Sequence, residues 1–150
     1  MKKIFFIFYF LIASFSIISQ EKTSPIDGVT NTIQNYYDGY IHRDFTKLKK
    51  AFDLENGTMK VPIVKDEKLV GFKNSFFKEL IPKWGNRQKL STEILQNCAL
   101  TILNIDIVDA KIASAKISMK VDTITYIDIL SLQKVDNTWK ITNKIYVIGK

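Results

Sequence analysis

Residues 112–121 read Ile-Ala-Ser-Ala-Lys-Ile-Ser-Met-Lys-Val, and from Ala113 onward apolar and polar side chains alternate. Ala113, Ala115, Ile117, Met119 and Val121 share one side; Ser114, Lys116, Ser118 and Lys120 share the other. A period of two marks a strand buried on one face and wet on the other. The same reading extends in both directions. Asp109-Ala110-Lys111 makes a turn after a strand over 100–108, and Asp122-Thr123 opens the next turn. A strand over 125–135 follows with apolar residues on both faces, then a turn at Asp136-Asn137. Trp139, Ile141, Ile145 and Val147 are expected on one face of a last strand. Everything after Leu90 reads as strand.

Upstream the period changes. Pro25 suits a first helical turn, and Ile26, Val29, Ile33, Tyr36, Tyr37, Tyr40 and Ile41 recur at intervals of three and four. That spacing predicts an amphipathic helix ending at His42-Arg43. Gly28 and Gly39 each weaken it by about 1 kcal/mol relative to alanine, so packing must hold it. Asp44 is expected to cap a second, short helix with a buried stripe of Phe45, Leu48, Ala51 and Phe52. Asn56-Gly57 turns the chain into a strand over 58–64, which Pro62 confines to an edge or a bulge. A third helix is expected over 74–84, with Phe76, Phe77, Leu80, Ile81 and Trp84 apolar, Pro82 near its end and Gly85 closing it. Helices segregated to one side of an antiparallel sheet make an α+β fold. Three N-terminal helices laid across the concave face of a curved meander would give a cone that encloses a cavity.

The first twenty residues differ from the rest. Lys2 and Lys3 precede an almost unbroken apolar run from Ile4 to Ile18, and Ser19, Gln20 and Glu21 restore polarity. This is the layout of a secretory signal peptide cleaved near Ser19 or Gln20, and the run is short against the roughly 20 residues of a membrane span. The sequence thus predicts an exported chain, periplasmic or secreted, with a signal peptide over 1–20, one domain over 21–150 and no stable membrane anchor after cleavage. The segment holds two of the 22 basic residues and none of the 15 acidic ones, which leaves the mature chain near +5. The lysines are scattered among acids without an arginine cluster, which fits a solvated surface and no nucleic-acid partner. Cys98 is the only cysteine, so no intrachain disulfide forms, and its apolar neighbours mark it as a small buried hydrophobe. Asn56-Gly57-Thr58 fits a glycosylation acceptor but is more simply a turn. A zinc site needs three or four close ligands; one histidine and one cysteine do not offer them. Phosphate-cradling glycine loops are missing too, and no cofactor is expected.

The order of elements and several local patterns resemble the nuclear transport factor 2-like superfamily, closest to its secreted bacterial branch named for lumazine binding. The matching stretches are Ile33-Gln-Asn-Tyr-Tyr-Asp-Gly-Tyr, Arg43-Asp44, and Leu48-Lys-Lys-Ala-Phe52. At the C-terminal end the match is Leu130-Ser-Leu-Gln-Lys-Val-Asp-Asn-Thr-Trp-Lys-Ile-Thr-Asn-Lys-Ile-Tyr146. The resemblance spans nearly all of 25–148 and implies the cone-shaped (cystatin-like) fold.

That superfamily holds isomerases, dehydratases and cyclases alongside non-enzymatic modules, so the fold assigns no reaction. Ketosteroid isomerases need a carboxylate base and an oxyanion hole made of a tyrosine and a carboxylic acid. The resemblance puts Tyr36 at the tyrosine, eight residues before Asp44, and Asp128 at the acid, after Ile127. The base position falls on Val61, before Pro62, and valine accepts no proton. Asp128 should share its strand face with Tyr126, Leu130 and Leu132. The plainer reading of the pair is a core tyrosine whose hydroxyl meets a buried acceptor. Trp84 is either a wall for ligand stacking or core, and His42 is a helix-end residue rather than an acid–base group. The candidate pocket residues are therefore Tyr36, Tyr40, Trp84 and Asp128, with no catalytic set. The expected function is a non-catalytic exported module that binds a small apolar ligand or a protein. The alternatives are an isomerase, dehydratase or cyclase using Tyr36 and Asp128, and a purely structural module. Ile127, Ile129 and Val135 on the outer sheet face would suit a homodimer.

Overall fold

The computed structural model describes residues 24–149; the leader expected over 1–20 lies outside them. Helix α1 (Pro25–His42) leads into α2 (Phe45–Ala51). Strands β1 (Thr58–Lys65) and β2 (Lys68–Phe76) follow, then α3 (Phe77–Gly85) and α4 (Thr92–Gln96). The chain finishes with β3 (Ala99–Val108), β4 (Ile112–Val121), β5 (Ile124–Val135) and β6 (Thr138–Ile148). One sheet holds all six strands in the order β2-β1-β6-β5-β4-β3. Its neighbours are antiparallel except β1 and β6, which run parallel through Thr58, Met59 and Lys60.

The local reasons are short-range. Ser24 Oγ accepts the Asp27 amide at 3.2 Å and opens α1, with Pro25 in its first turn. Arg43 takes the left-handed conformation that ends it (φ 58°). Asp44 Oδ1 then accepts the Thr46 and Lys47 amides at 2.8 and 3.1 Å and starts α2, as the sequence predicts. The two glycines of α1 mark close approaches. A Cβ on Gly28 would lie 2.6 Å from Trp139, and one on Gly39 would lie 2.8 Å from the Leu48 amide nitrogen. Packing thus outweighs the helix penalty of both. Three hairpins close on two-residue loops, and Asp66-Glu67 and Asp136-Asn137 have both residues at positive φ. That geometry matches the right-handed twist of the flanking strands.

Four expectations need correcting. Only two helices precede the sheet, because the β1–β2 hairpin comes before α3. Residues 74–76 belong to β2, and Phe76 and Phe45 are exposed rather than part of a buried stripe. The polar, lysine-rich run 65–75 hides β2, since a strand wet on both faces shows no alternation. A five-residue helix, α4, interrupts the stretch read as all strand, capped by Ser91 Oγ on the Ile94 amide at 3.3 Å. Finally, β6 carries an extra residue: Ser131 pairs with Asn143 but Leu132 pairs with Ile141, which skips Thr142. A bulge flips every later side chain to the other face. Trp139 and Ile141 point into the core as expected. Beyond Thr142 it is Lys144 and Tyr146 that turn inward, while Ile145 and Val147 are exposed.

Candidate functional site

A cavity of about 250 Å³ lies between the helices and the inner face of the sheet. Tyr36 and Tyr40 reach it from α1, Leu80 and Trp84 from α3, and Met59 and Val61 from β1. Met119 on β4, Tyr126 on β5, and Lys144 and Tyr146 on β6 form the sheet side; Arg87, just past α3, completes the wall. Beneath it the core is closed by Phe52 and Phe77, whose ring centroids are 4.5 Å apart. Trp84 stacks on Tyr36 at 6.3 Å and meets Tyr40 edge-on at 5.4 Å.

At the floor sits a buried polar triad. Tyr36 Oη donates to Asp128 Oδ2 at 2.9 Å, and the Lys144 ammonium pairs with the same oxygen. Asp128 is fully enclosed and Lys144 is 3% exposed. Asp128 Oδ1 is buried with no hydrogen-bond partner among the described residues. Lys144 Nζ lies 5.3 Å from the Tyr36 ring centre and 5.0 Å from that of Tyr146, within cation–π range. Burial holds the Lys144 ammonium below its usual range, and Asp128 opposes that shift. Burial also pushes the Tyr36 hydroxyl well up, helped by the Asp128 charge. Tyr126 and Tyr146 are raised as well, chiefly by burial.

The mouth is different. Arg87 is exposed and donates Nη1 to Tyr40 Oη at 2.8 Å. Its guanidinium lies 5.7 Å from the Tyr40 ring centre, and Arg43 lies 5.1 Å from the same ring. Arg43 also spends its N–H groups on the Tyr40 and Gln88 carbonyls.

The model of the family described as "Putative lumazine-binding" matches residues 24–147. This chain belongs to that family. The wider nuclear transport factor 2-like superfamily is shown too. A nuclear transport factor 2-like protein of unknown function from Shewanella baltica is 25% identical, with a TM-score of 0.68 over 83% of this chain and 94% of its own. Another of unknown function, from Methylobacillus flagellatus, is 25% identical with a TM-score of 0.66, covering 87% of this chain and 97% of its own. A cystatin-like fold protein from Burkholderia xenovorans is 8% identical with a TM-score of 0.62, covering 85% and 93%, and shares the fold alone. No curated protein matches the chain.

Against the isomerase pattern, this member of the lumazine-binding family differs in two ways. Val61 lines the cavity where a base would stand, and the lining contains no Asp, Glu or His. Asp128 is not in the wall; it stands behind Tyr36 and Lys144, ion-paired and accepting the tyrosine's hydrogen bond. An oxyanion hole needs both groups to donate toward substrate, and here one donor is spent on the other residue. Of the four candidates, Tyr36, Tyr40 and Trp84 line the cavity and Asp128 supports it from behind. His42 is exposed at the end of α1. Cys98 is half-buried, with its thiol on the Ile94 carbonyl at 3.3 Å. Tyr126 lines the cavity from the strand face on which the sequence places it with Asp128, whereas Lys144, Arg87 and Tyr146 escape a reading from sequence. Lys144 and Tyr146 lie past the bulge, and Arg87 sits in a loop without periodicity.

Proposed function

We propose that this chain is a non-catalytic binding module that takes a small ring compound in its inner cavity. The reading rests on one observation: an open cavity walled by four tyrosines, Trp84 and two methionines, with no proton-accepting carboxylate or imidazole in its lining. Such aromatic walls favour flat ligands held by stacking, with polar groups setting orientation. The volume is at the small end for ligand sites, which suits one or two rings. The test is a thermal-shift and fluorescence titration with one- and two-ring compounds, lumazine first because the family's description names it. Ligand-induced stabilisation of the wild type should vanish in Val61→Trp, which fills the cavity. If no compound shifts the melting point, or Val61→Trp responds like the wild type, the reading fails.

A second reading concerns the opposite face. Phe72, Ile127, Ile129, Ile145 and Val147 line a shallow apolar hollow of about 640 Å³ on the outer side of the sheet. Exposed apolar area of this kind supports association, and we propose a homodimer through it, with Val135 exposed on the same strand. Sedimentation should show a dimer that Ile129→Lys converts to monomer; a monomeric wild type ends this reading. Export through the 1–20 leader is the third element of the proposal. Cell fractionation of the full chain tests it, and retention in the cytoplasm would count against it.

A further inference from the structure

Resting on the cavity as a binding site, we infer that its ligand is a small aromatic acid. Its anionic group lies at the mouth against Arg87, and an oxygen acceptor at its other end lies at the floor against Lys144. Three observations carry this. Both charged groups in the wall are cations, Arg87 and Lys144. They differ, however, in how their charge is matched. Lys144 is neutralised by Asp128, so it offers N–H donors at the floor without net charge. An ammonium has three donors, and a neutral carbonyl or phenol oxygen suits those that Asp128 leaves free. Among the described residues Arg87 is matched by no carboxylate; it spends one N–H on Tyr40 Oη, and a guanidinium has five. Arg43 lies over the same Tyr40 ring and adds positive charge. The mouth therefore attracts an anion, and a carboxylate can take two guanidinium N–H groups side by side.

Between those ends the rings decide the body of the ligand. Tyr36, Trp84, Tyr126 and Tyr146 present aromatic surface, and the two tyrosines of β5 and β6 lie 6.1 Å apart. A flat ring spans the cavity with its polar groups at opposite ends. A bulky multi-ring skeleton exceeds a cavity of about 250 Å³.

The experiment is calorimetric titration with matched pairs: 4-hydroxybenzoate against 4-hydroxybenzamide, and indole-3-acetate against indole-3-acetamide. In the wild type at least one acid should bind about tenfold tighter than its neutral amide, the size expected of a charge-assisted pair. Arg87→Gln, an exposed change that leaves the core intact, should bring acid and amide together. Benzoate, which lacks the far oxygen, should bind several-fold more weakly than 4-hydroxybenzoate. The double variant Lys144→Met/Asp128→Leu removes the floor pair without stranding a charge and should erase that gap. Acid and amide binding equally in the wild type would overturn the inference and leave the cavity reading standing. So would an acid preference that survives Arg87→Gln, or a benzoate that matches 4-hydroxybenzoate. Binding of no compound at all would end both.

Discussion

Upstream of Thr142, β6 turns Trp139 and Ile141 inward. Trp139 fits into the notch at Gly28, its carbonyl accepts the Thr32 hydroxyl at 3.1 Å, and Ile141 bridges to Phe52. Downstream of Thr142 the same strand turns Lys144 and Tyr146 inward and leaves Ile145 and Val147 in solvent. The first half is core of the ordinary kind, apolar side chains removed from water. The second half sets a charged amine and a phenol into the wall of a cavity, where a continued alternation would have set isoleucine and valine. One inserted residue separates the two. A bulge thus lets a single strand serve both the core and the cavity wall, and the second half is held by Asp128 rather than by apolar fit.

The contrast can be broken at either end. Trp139→Ala should cost about 3–5 kcal/mol in urea unfolding, as for other large-to-small core changes, with no single compensating substitution in the polar triad. Lys144→Met should cost a similar amount, about 3–5 kcal/mol, for another reason: it leaves Asp128 buried and uncompensated. Only this second loss is reversible. Adding Asp128→Leu to Lys144→Met should recover most of the stability, because an apolar pair of similar volume often matches a buried ion pair. A double variant as unstable as Lys144→Met would mean that the triad's shape, not its charge, holds this half of the strand.

Tyr36→Phe should come next, costing about 1.5–3 kcal/mol at neutral pH through loss of a hydrogen bond to a charged acceptor. It should also change the alkaline limb. Below the ordinary tyrosine value of 10.0, Tyr36 is protonated folded and unfolded and adds no slope. Above it the unfolded chain loses that proton while the buried hydroxyl keeps it, so stability falls as pH rises. Tyr126 and Tyr146 push the same way. Lys144 pushes the other way: its folded value is lowered from 10.5, so unfolding takes up a proton below that pH and stability rises toward it. Melting curves across this range should therefore fall less steeply above pH 10 in Tyr36→Phe than in the wild type. An unchanged limb would show that Tyr36 is not the group resisting ionisation.

What the sequence discloses follows from the same physics. Strand β4 is legible residue by residue because it pairs on both sides and buries one face. Helix α1 and its caps are legible because Pro25, Asp44 and the three-four spacing are local signals. Asp128 is placed on the right face by its neighbours Leu130 and Leu132. By contrast β2 is hidden, being exposed through most of its length, and Lys144 is hidden because no residue near Thr142 announces a bulge. The family resemblance finds Tyr36 and Asp128 but brings with it an isomerase pairing that Lys144 alters. Half of the candidate site was thus within reach of pattern reading, and the cationic half was not.

Ile145 offers the smallest effect and the cleanest comparison. Alternation from Trp139 and Ile141 puts it in the core, where Ile→Ala would cost about 2–5 kcal/mol. The bulge puts it outside, 42% exposed, where a substitution away from packed features costs about 0.5 kcal/mol. The two expectations differ by more than unfolding measurements scatter. Urea unfolding of Ile145→Ala at two protein concentrations decides between them, since association through the outer face would add a concentration-dependent term. A small, concentration-independent change places Ile145 outside and, with it, Lys144 inside. A loss near that of Trp139→Ala at both concentrations would restore the uninterrupted strand. It would also remove Lys144 from the cavity wall and leave Asp128 without its ion-pair partner.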